Sequence, residues 1–274
     1  MAGKRVLITG AGSGLGRALA LKFGKEGWRV AATDLNRAAA EQTLAQLVAA
    51  GGSGLADSCD VTSEESFAAV VERLRREWDG LDVLVNNAGV ATAGTVADSP
   101  LEQWQWVLNI NLLGCVRGAR AVIPLLTAQG SGHIVNIASF AGVANPPAMA
   151  SYNAAKAAVI SLSETLRFEL APHNIGVSVA CPSFFKTELL ATSRAGGDKS
   201  STAPQMNRIV ERLMEKATVT ADDVAADIHD AVQTGRFMVM THPDARQRAL
   251  LKRVSPELYF RLARKATETF LKKA

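Results

Sequence analysis

Short apolar segments alternate with longer, alanine-rich amphipathic segments along this chain, and this alternation restricts its fold more than any other feature. The strand-like segments read RVLITG, WRVAATD, GLADSCD, LDVLVNNAG, GHIVNIAS, IGVSVACP and RFMVMT. Helical periodicity is predicted at residues 14–26, 37–50, 63–78, 100–128, 150–172 and 221–234. Because almost uniformly apolar strands are typical of a parallel sheet covered on both faces, the pattern predicts an α/β, doubly wound, Rossmann-like fold with about seven strands.

The charge of the chain is unevenly distributed between two predicted parts. Residues 1–243 are predicted to form one Rossmann-type domain, and residues 244–274 a basic helical C-terminal extension in which Pro256 separates two helices. The net charge is +4, but the extension holds nine Lys or Arg against three acids, so it carries +6 and the domain −2. The basic character therefore belongs to the extension.

Composition excludes several classes of protein. With 48% hydrophobic and 20% charged residues, the chain fits a globular enzyme, and 5% aromatic residues are too few for a base-stacking nucleic-acid surface. Cys59, Cys115 and Cys181 are widely spaced in apolar segments, which predicts small buried hydrophobes in a reducing compartment. We find no signal peptide before the first strand and no apolar stretch of about 20 residues, so a cytoplasmic location is expected.

A glycine turn, TGAGSGLG at residues 9–16, stands between the first predicted strand and the first predicted helix. It does not fit G-x-G-x-x-G, because Leu15 occupies the last glycine position. The position still lets the backbone approach a pyrophosphate at a helix N-terminus. A tight connection without a ligand is the alternative.

Asp34 strengthens the prediction of a dinucleotide site. It ends the second predicted strand, where a carboxylate accepts hydrogen bonds from ribose hydroxyls and repels a 2′-phosphate. Leu35 follows it, and the glycine turn contains neither Lys nor Arg. These features favour NAD over NADP, with Arg37 as the residue able to turn toward a phosphate.

Tyr152 and Lys156 lie four residues apart in the predicted helix SYNAAKAAV, so their side chains share one face. A free tyrosine has a pKa of about 10 and accepts protons poorly at neutral pH. A neighbouring ammonium stabilises the phenolate. The pair is therefore a candidate for proton transfer, and a half-buried ring beside a solvated charge is the alternative.

Together these features resemble the short-chain dehydrogenase/reductase family over nearly all of residues 1–243. The matching elements are TGxxxGxG at Thr9 to Gly16, NNAG at 86–89, Asn111 in NINLLG, Ser139 thirteen residues before Tyr152, and YxxxK at Tyr152 to Lys156. The resemblance implies a homo-oligomer, a tetramer or a dimer, that binds NAD or NADP and a small molecule. It implies no metal, and the four histidines have no partners at metal-ligand spacing.

The same resemblance implies roles for four catalytic residues. Tyr152 exchanges a proton with the substrate while hydride passes to or from the nicotinamide. Lys156 lowers the pKa of Tyr152 and bonds the nicotinamide ribose, and Ser139 holds the substrate oxygen. Asn111 positions a water that links Lys156 to solvent, or alternatively bonds backbone where a helix bends.

Cofactor contacts are implied for a larger set of residues. Besides Tyr152 and Lys156 they are Gly10, Ser13, Gly14, Leu15, Gly16, Asp34, Asp60, Val61, Asn87, Ala88, Gly89, Pro182, Phe185 and Thr187. Asn86 is expected to tie strands together instead. The sequence departs from the family pattern at Ser183, which replaces a glycine and puts the seating of the nicotinamide in doubt.

Three segments expected to line the substrate cleft carry few charges. They contribute Phe140, Val143, Pro146, Pro147, Met149, Phe184, Leu189 and Leu190. This composition favours a lipophilic secondary alcohol or ketone. Residues 193–205 form a Gly-, Ser- and Pro-rich loop, interpreted either as a lid over the cleft or as a surface loop, before a short helix that ends near Lys216.

The leading functional hypothesis is an NAD-preferring alcohol dehydrogenase or ketone reductase. The alternatives are an NADPH-dependent ketoacyl reductase and a protein that senses NAD without turnover. The extension has three alternative roles: packing on the cleft or a neighbouring subunit, contact with an anionic membrane surface, or enlargement of the domain surface. Packing is favoured over membrane contact.

Overall fold

A parallel β-sheet forms the centre of the protein. The computed structural model describes residues 3–185, 194–195 and 203–271. The strands of the sheet are β1 (Arg5–Thr9), β2 (Arg29–Asp34), β3 (Ser53–Ser58), β4 (Val83–Asn86), β6 (Gly132–Ile137), β7 (Ile175–Ala180) and β9 (Met238–Val239). Their spatial order is β3-β2-β1-β4-β6-β7-β9, with every neighbouring pair parallel. Two-residue strands β5 (Thr92–Ala93) and β8 (Arg194–Ala195) form a separate parallel pair.

Helices cover both faces of this sheet. They are α1 (Gly14–Lys25), α2 (Arg37–Ala49), α3 (Glu64–Trp78), α4 (Leu101–Asn111), α5 (Leu113–Gln129), α6 (Ala141–Ala144), α7 (Ala150–Leu170), α8 (Ala203–Glu215), α9 (Ala221–Thr234), α10 (Pro243–Val254) and α11 (Pro256–Leu271). On one face α1 contacts α2 and α9, and on the other α3 contacts α5. The predicted doubly wound, Rossmann-like fold is confirmed.

Alternation along the strands divides the core between the two faces. In β1, Val6 and Ile8 join the buried cluster that contains Phe23, whereas Leu7 joins the cluster that contains Phe67. All five side chains are fully buried. Because successive side chains point to opposite faces, a strand buried on both sides reads as an unbroken apolar run.

The helix predicted at residues 100–128 is two helices. The helical path breaks at Leu112, between α4 and α5. The expectation that no stretch is long and apolar enough to span a membrane is also wrong, since Leu101–Gln129 meets that measure of length and composition. Here Val122 and Leu126 are fully buried in the core against the sheet and α3, so one side of the stretch packs against the core.

Two other predicted features have the expected form. Ser255 separates α10 from α11, and Pro256 begins α11, which agrees with the predicted break. Cys59, Cys115 and Cys181 are free and buried, and burial raises the pKa of these thiols to about 12, 11 and 12. They are therefore protonated at neutral pH and pack as small hydrophobes.

His133 is expected to make stability fall at acidic pH. It is buried, with Nε2 2.8 Å from Ser178 Oγ, and burial lowers its pKa to about 4 from the ordinary 6.5. Between these values the unfolded chain binds a proton that the native state excludes, so the free energy of unfolding decreases as pH falls, by about 3 kcal/mol. Urea unfolding at a series of pH values between about 4 and 6.5 measures this decrease in the free energy of unfolding. His133→Leu should flatten the slope, whereas exposed His173→Gln should preserve it; equal slopes in both variants would contradict the assignment.

Candidate active site

Most of the predicted site residues line one cleft at the carboxyl ends of the strands. The cleft has a volume of about 1650 Å³. Of the predicted residues it is lined by Gly10, Ser13, Gly14, Leu15, Gly16, Asp34, Asp60, Val61, Asn87, Ala88, Gly89, Ser139, Tyr152, Lys156, Pro182 and Phe185. Thr187 lies outside the described residues. Ligands of open α/β sheets bind at this edge, where the strand order reverses.

The glycine turn is pressed against its neighbours. A Cβ at Gly16 would collide with the carbonyl oxygen of Gly10, and one at Gly10 would lie 2.8 Å from Ala88 Cα. Gly10 also has φ of 63°, a left-handed conformation that favours glycine. Ser13 caps α1 without a side-chain capping bond. The backbone at the start of α1 therefore borders the cleft, which fits a pyrophosphate.

Asp34 is fixed at the end of β2. Its carboxylate accepts hydrogen bonds from Gly12 N at 3.0 Å and Asn36 N at 2.9 Å. Arg37 pairs with Glu41 at 2.9 Å instead of facing Asp34. The sequence interpretation missed Arg17. Its guanidinium donates to Gly12 O and to Thr43 Oγ1, and these bonds connect the glycine turn to α2. The position of Arg17 one turn into α1 was the available signal.

The NNAG segment is held by β1. Thr9 Oγ1 accepts from Asn87 N and Ala88 N at 3.0 and 3.1 Å, and Asn87 Nδ2 donates to Thr9 O and Gly10 O. Asn86 faces away and donates to Asn136 Oδ1 at 2.9 Å, which links β4 to β6 as expected. Asp60, which also lines the cleft, accepts hydrogen bonds at Oδ1 from the backbone N–H and the hydroxyl of Thr62.

Tyr152 and Lys156 share a buried face of α7. Their side chains are 6% and 4% exposed, and Lys156 Nζ lies 5.7 Å from the centre of the Tyr152 ring. The ammonium donates to Ile137 O at 2.8 Å, at the end of β6. Ser139 follows β6 and accepts from Ala141 N at 3.1 Å. The fold therefore places a hydroxyl, a phenol and an ammonium at one point of the cleft.

The pKa of Tyr152 departs from the expected direction. Burial raises it to about 12, and a hydrogen bond from Ser139 lowers it by less. Burial also lowers the pKa of Lys156, because it removes water from the ammonium. Desolvation therefore dominates, and the pKa of Tyr152 lies above its usual value. The implied stabilisation of the phenolate by Lys156 stays a prediction.

Asn111 lies at the break between α4 and α5 and does not line the cleft. Its Oδ1 accepts from Val90 N at 2.8 Å, and its Nδ2 donates to Val90 O at 2.9 Å. Both side-chain groups are thus engaged with backbone, as the alternative interpretation of this residue described. Gly89 keeps the asparagine close to Lys156, because a Cβ at Gly89 would lie 3.2 Å from Asn111 Oδ1 and 3.5 Å from Lys156 Nζ.

His242 holds the segment that contains Ser183. His242 Nδ1 lies 3.3 Å from Ser183 N and 2.9 Å from Thr241 Oγ1, and Nε2 lies 3.0 Å from Phe184 O. Because Nε2 faces a carbonyl oxygen, it carries the hydrogen, and Nδ1 accepts. The sequence showed no partner for His242 at metal-ligand spacing, and the distance along the chain to Ser183 contained no signal of this contact.

The substrate side of the cleft is mainly apolar. The predicted Phe140, Pro146, Pro147, Met149 and Phe184 line it, and so do Trp106, Val210, Leu213 and Met214 from α4 and α8, which were not predicted. The prediction that Val143 lines the cleft is wrong, because Val143 packs instead with a buried cluster that contains Cys181 and Val159. Leu189, Leu190 and most of the 193–205 loop lie outside the described residues, whereas α8 ends at Glu215, close to the predicted position.

The C-terminal extension forms the outer wall of the cleft. Lys252 Nζ donates to Val143 O at 2.5 Å, and Tyr259 Oη donates to Ala144 O at 3.1 Å. With its amide oriented to satisfy both neighbours, Asn145 also accepts from Lys252 at 2.7 Å. These bonds fasten α10 and α11 to α6, the short helix between Ser139 and Tyr152. Among the described residues no cluster of His, Cys, Asp or Glu suits a metal ion.

The fold and this site together define a protein of the Rossmann type with a dinucleotide-type cleft. A family model described as short chain dehydrogenase matches residues 4–198. The chain belongs to the short-chain dehydrogenase family.

Three similar proteins show how widely the match extends. "Probable oxidoreductase EphD" of Mycobacterium tuberculosis is 34% identical over 92% of this chain, which spans only 43% of that protein. The 3-oxoacyl-[acyl-carrier-protein] reductase FabG of Thermotoga maritima is 37% identical over 68% of this chain and 76% of its own length. A short-chain dehydrogenase/reductase from Burkholderia phymatum, solved in complex with NAD, is 32% identical, with a TM-score of 0.88 over 93% of this chain and 95% of that one.

Proposed function

We propose that the protein is an NAD-preferring alcohol dehydrogenase or ketone reductase that acts on lipophilic secondary alcohols or ketones. The observation that carries this proposal is the convergence of Ser139, Tyr152 and Lys156 beside a dinucleotide-type cleft. A hydroxyl, a phenol and an ammonium together suffice to hold a carbonyl oxygen and to move a proton to it.

The cofactor part of the proposal is supported by the glycine turn and by Asp34. Gly10 and Gly16 line the cleft and are packed so closely against neighbouring backbone that neither position accepts a side chain. The Asp34 carboxylate suits a free ribose 2′-hydroxyl, and the Burkholderia phymatum relative was solved with NAD. When bound, such a cofactor supplies or accepts the hydride.

The proton in this proposal belongs to Tyr152. With a pKa of about 12 the phenol is protonated at neutral pH, so it donates a proton to a ketone oxygen that Ser139 holds. In the oxidative direction the phenolate takes the proton from the alcohol, and the buried Lys156 ammonium stabilises that anion. The phenol, rather than solvent, thus serves both directions.

The apolar wall supports a lipophilic substrate. Trp106, Phe140, Met149, Val210 and Leu213 face the space beside Ser139 and Tyr152. Burying a hydrophobic substrate against these side chains contributes roughly 25 cal/mol per Å² of apolar surface. A polar polyol gains little there.

A second candidate, an NADPH-dependent ketoacyl reductase, is supported by the similarity to FabG. Turnover assays on a panel of ketones, secondary alcohols, 3-oxoacyl thioesters and polyols, each with both cofactors, separate the two. The first proposal expects NADH with lipophilic ketones to give the highest kcat/KM. Turnover confined to 3-oxoacyl thioesters with NADPH would favour the second, and activity on polyols alone would contradict both.

Asp34→Asn tests the basis of the cofactor preference. It removes the charge and keeps one acceptor oxygen, so one of the two backbone hydrogen bonds to this side chain is retained. We expect the ratio of kcat/KM with NADH to that with NADPH to fall about 10- to 100-fold, because the repulsion of a 2′-phosphate is lost. Asp222→Asn, at an exposed position of α9 that does not line the cleft, is the matched control. An unchanged ratio would show that Asp34 does not select the cofactor.

A further inference from the structure

We propose that the outward side of α10 and α11 binds an anionic membrane surface. This side of the helices consists of four apolar and four cationic side chains. The apolar residues Leu250, Val254, Leu258 and Leu262 are 63%, 75%, 44% and 53% exposed. The cations are Arg246, Arg253, Arg261 and Lys265, all exposed. We call these eight residues the outer face; the inference concerns a partner and stands independently of the proposed reaction.

Helical spacing puts the members of the outer face together. In α10, Arg246, Leu250 and Val254 follow one another at intervals of four residues, and Arg253 lies beside them. In α11, Leu258 and Leu262 are likewise four residues apart, as are Arg261 and Lys265. Each helix thus presents alternating apolar and cationic side chains along one side.

The opposite side of both helices is already used. Lys252 and Tyr259 bond the adjacent carbonyls of Val143 and Ala144 in α6, and Ala245 is buried. Since α10 and α11 approach the same end of α6 with these sides, the outer face points away from the sheet. Packing on the cleft therefore accounts for the inner side and leaves the outer face exposed to solvent.

The positive charge of the outer face favours an anionic membrane as its partner. Its eight residues include no acid. Of the three acids of these helices, Asp244 and Glu268 pair with Arg248 and Arg264 at 3.2 and 2.7 Å, and exposed Glu257 lies beside the outer face, four residues before Arg261. The extension as a whole carries +6. Apolar side chains interspersed with cations match an anionic headgroup layer, where lipid tails receive the former and headgroups the latter.

A second copy of the chain fits the outer face poorly. A two-fold interface would place the same patch against itself. The cations of one copy would then face those of the other, with no acid of the outer face between them. Like charges brought together at an interface oppose association.

Co-sedimentation of the full chain with vesicles tests the proposal. We expect binding to vesicles of phosphatidylglycerol and phosphatidylcholine, weakening at high salt, and at least about tenfold weaker binding to phosphatidylcholine alone. Absence of binding to the anionic vesicles, or equal binding to both kinds at all salt concentrations, would overturn the proposal.

Two variants with matched controls assign the binding to the outer face. Arg253→Glu with Arg261→Glu should weaken anionic-vesicle binding about tenfold or more, and Leu258→Ser with Leu262→Ser should weaken it severalfold. Arg76→Glu on α3 and Phe168→Ser on α7, both exposed positions elsewhere, should leave it unchanged. Equal losses in the controls would overturn the assignment. So would a smaller oligomer in size-exclusion chromatography with light scattering for the leucine variant, since it would identify a subunit interface.

Discussion

Tyr152→Phe is expected to lower kcat by about 10²- to 10⁴-fold, the range that a positioned proton donor contributes. The substitution removes only the phenolic oxygen of a ring that is 6% exposed, so the buried packing around it is preserved. Affinity for NADH, measured by fluorescence titration, should change less than about threefold, because the ring itself is retained. The loss therefore falls on the chemical step.

Tyr259→Phe is the matched control, because Tyr152 and Tyr259 are the two tyrosines of the chain. It removes the bond to Ala144 O at the cleft wall and leaves the proton donor intact. We expect a change in KM of a few fold and kcat within about threefold. Retention of full turnover by Tyr152→Phe would exclude the phenol as the proton donor and with it the proposed reaction.

Lys156→Met is expected to separate activity from stability. The ammonium is 4% exposed, and its hydrogen bond goes to the carbonyl of Ile137 rather than to a carboxylate. Replacing it with an apolar side chain of similar length removes a costly desolvated charge, so the free energy of unfolding should be unchanged or higher by about 1–4 kcal/mol. Turnover should nevertheless fall by about 10²-fold or more, because nothing then stabilises the Tyr152 phenolate.

Lys25→Met, at an exposed position near the end of α1, is the control for the loss of one positive charge. It should alter neither kcat nor the urea midpoint measurably. If Lys156→Met instead lost activity and stability in parallel, the lysine would be a structural residue of the core. Activity within tenfold of the parent would also contradict its proposed role.

The layers of the fold were predictable because their signals are local. Most strands of the sheet contain an apolar run such as VLIT in β1, and covering helices such as α3 carry a 3.6-residue period. Chain order then requires parallel strands, because each helical crossover returns the chain to the same edge. The break at Leu112 was missed because both halves of 100–128 are apolar and helical. At the break, Asn111 bonds to Val90, which is 21 residues away, and the apolar pattern of the segment does not reveal that contact.

The convergence of the site was partly predictable for the same reason. Gly10, Asn87 and Ser139 follow strands that the sequence predicts, and Asp34 ends one. Parallel strands bring their carboxyl ends to one edge. The direction of the pKa of Tyr152 was not predictable from the i, i+4 spacing to Lys156. That spacing sets the distance to a charge, whereas the depth of burial, which dominates the shift, depends on every element packed around the ring.

By itself, the sequence determined the α/β class, the order of the elements, the membership of the family and the residues available for chemistry, because these depend on local composition and chain order. Tertiary structure alone decided the wall of the cleft. Lys252 meets Val143 across 109 positions, and His242 meets Ser183 across 59. Contacts over such separations depend on how completed helices pack, and no periodicity or spacing along the chain records that geometry.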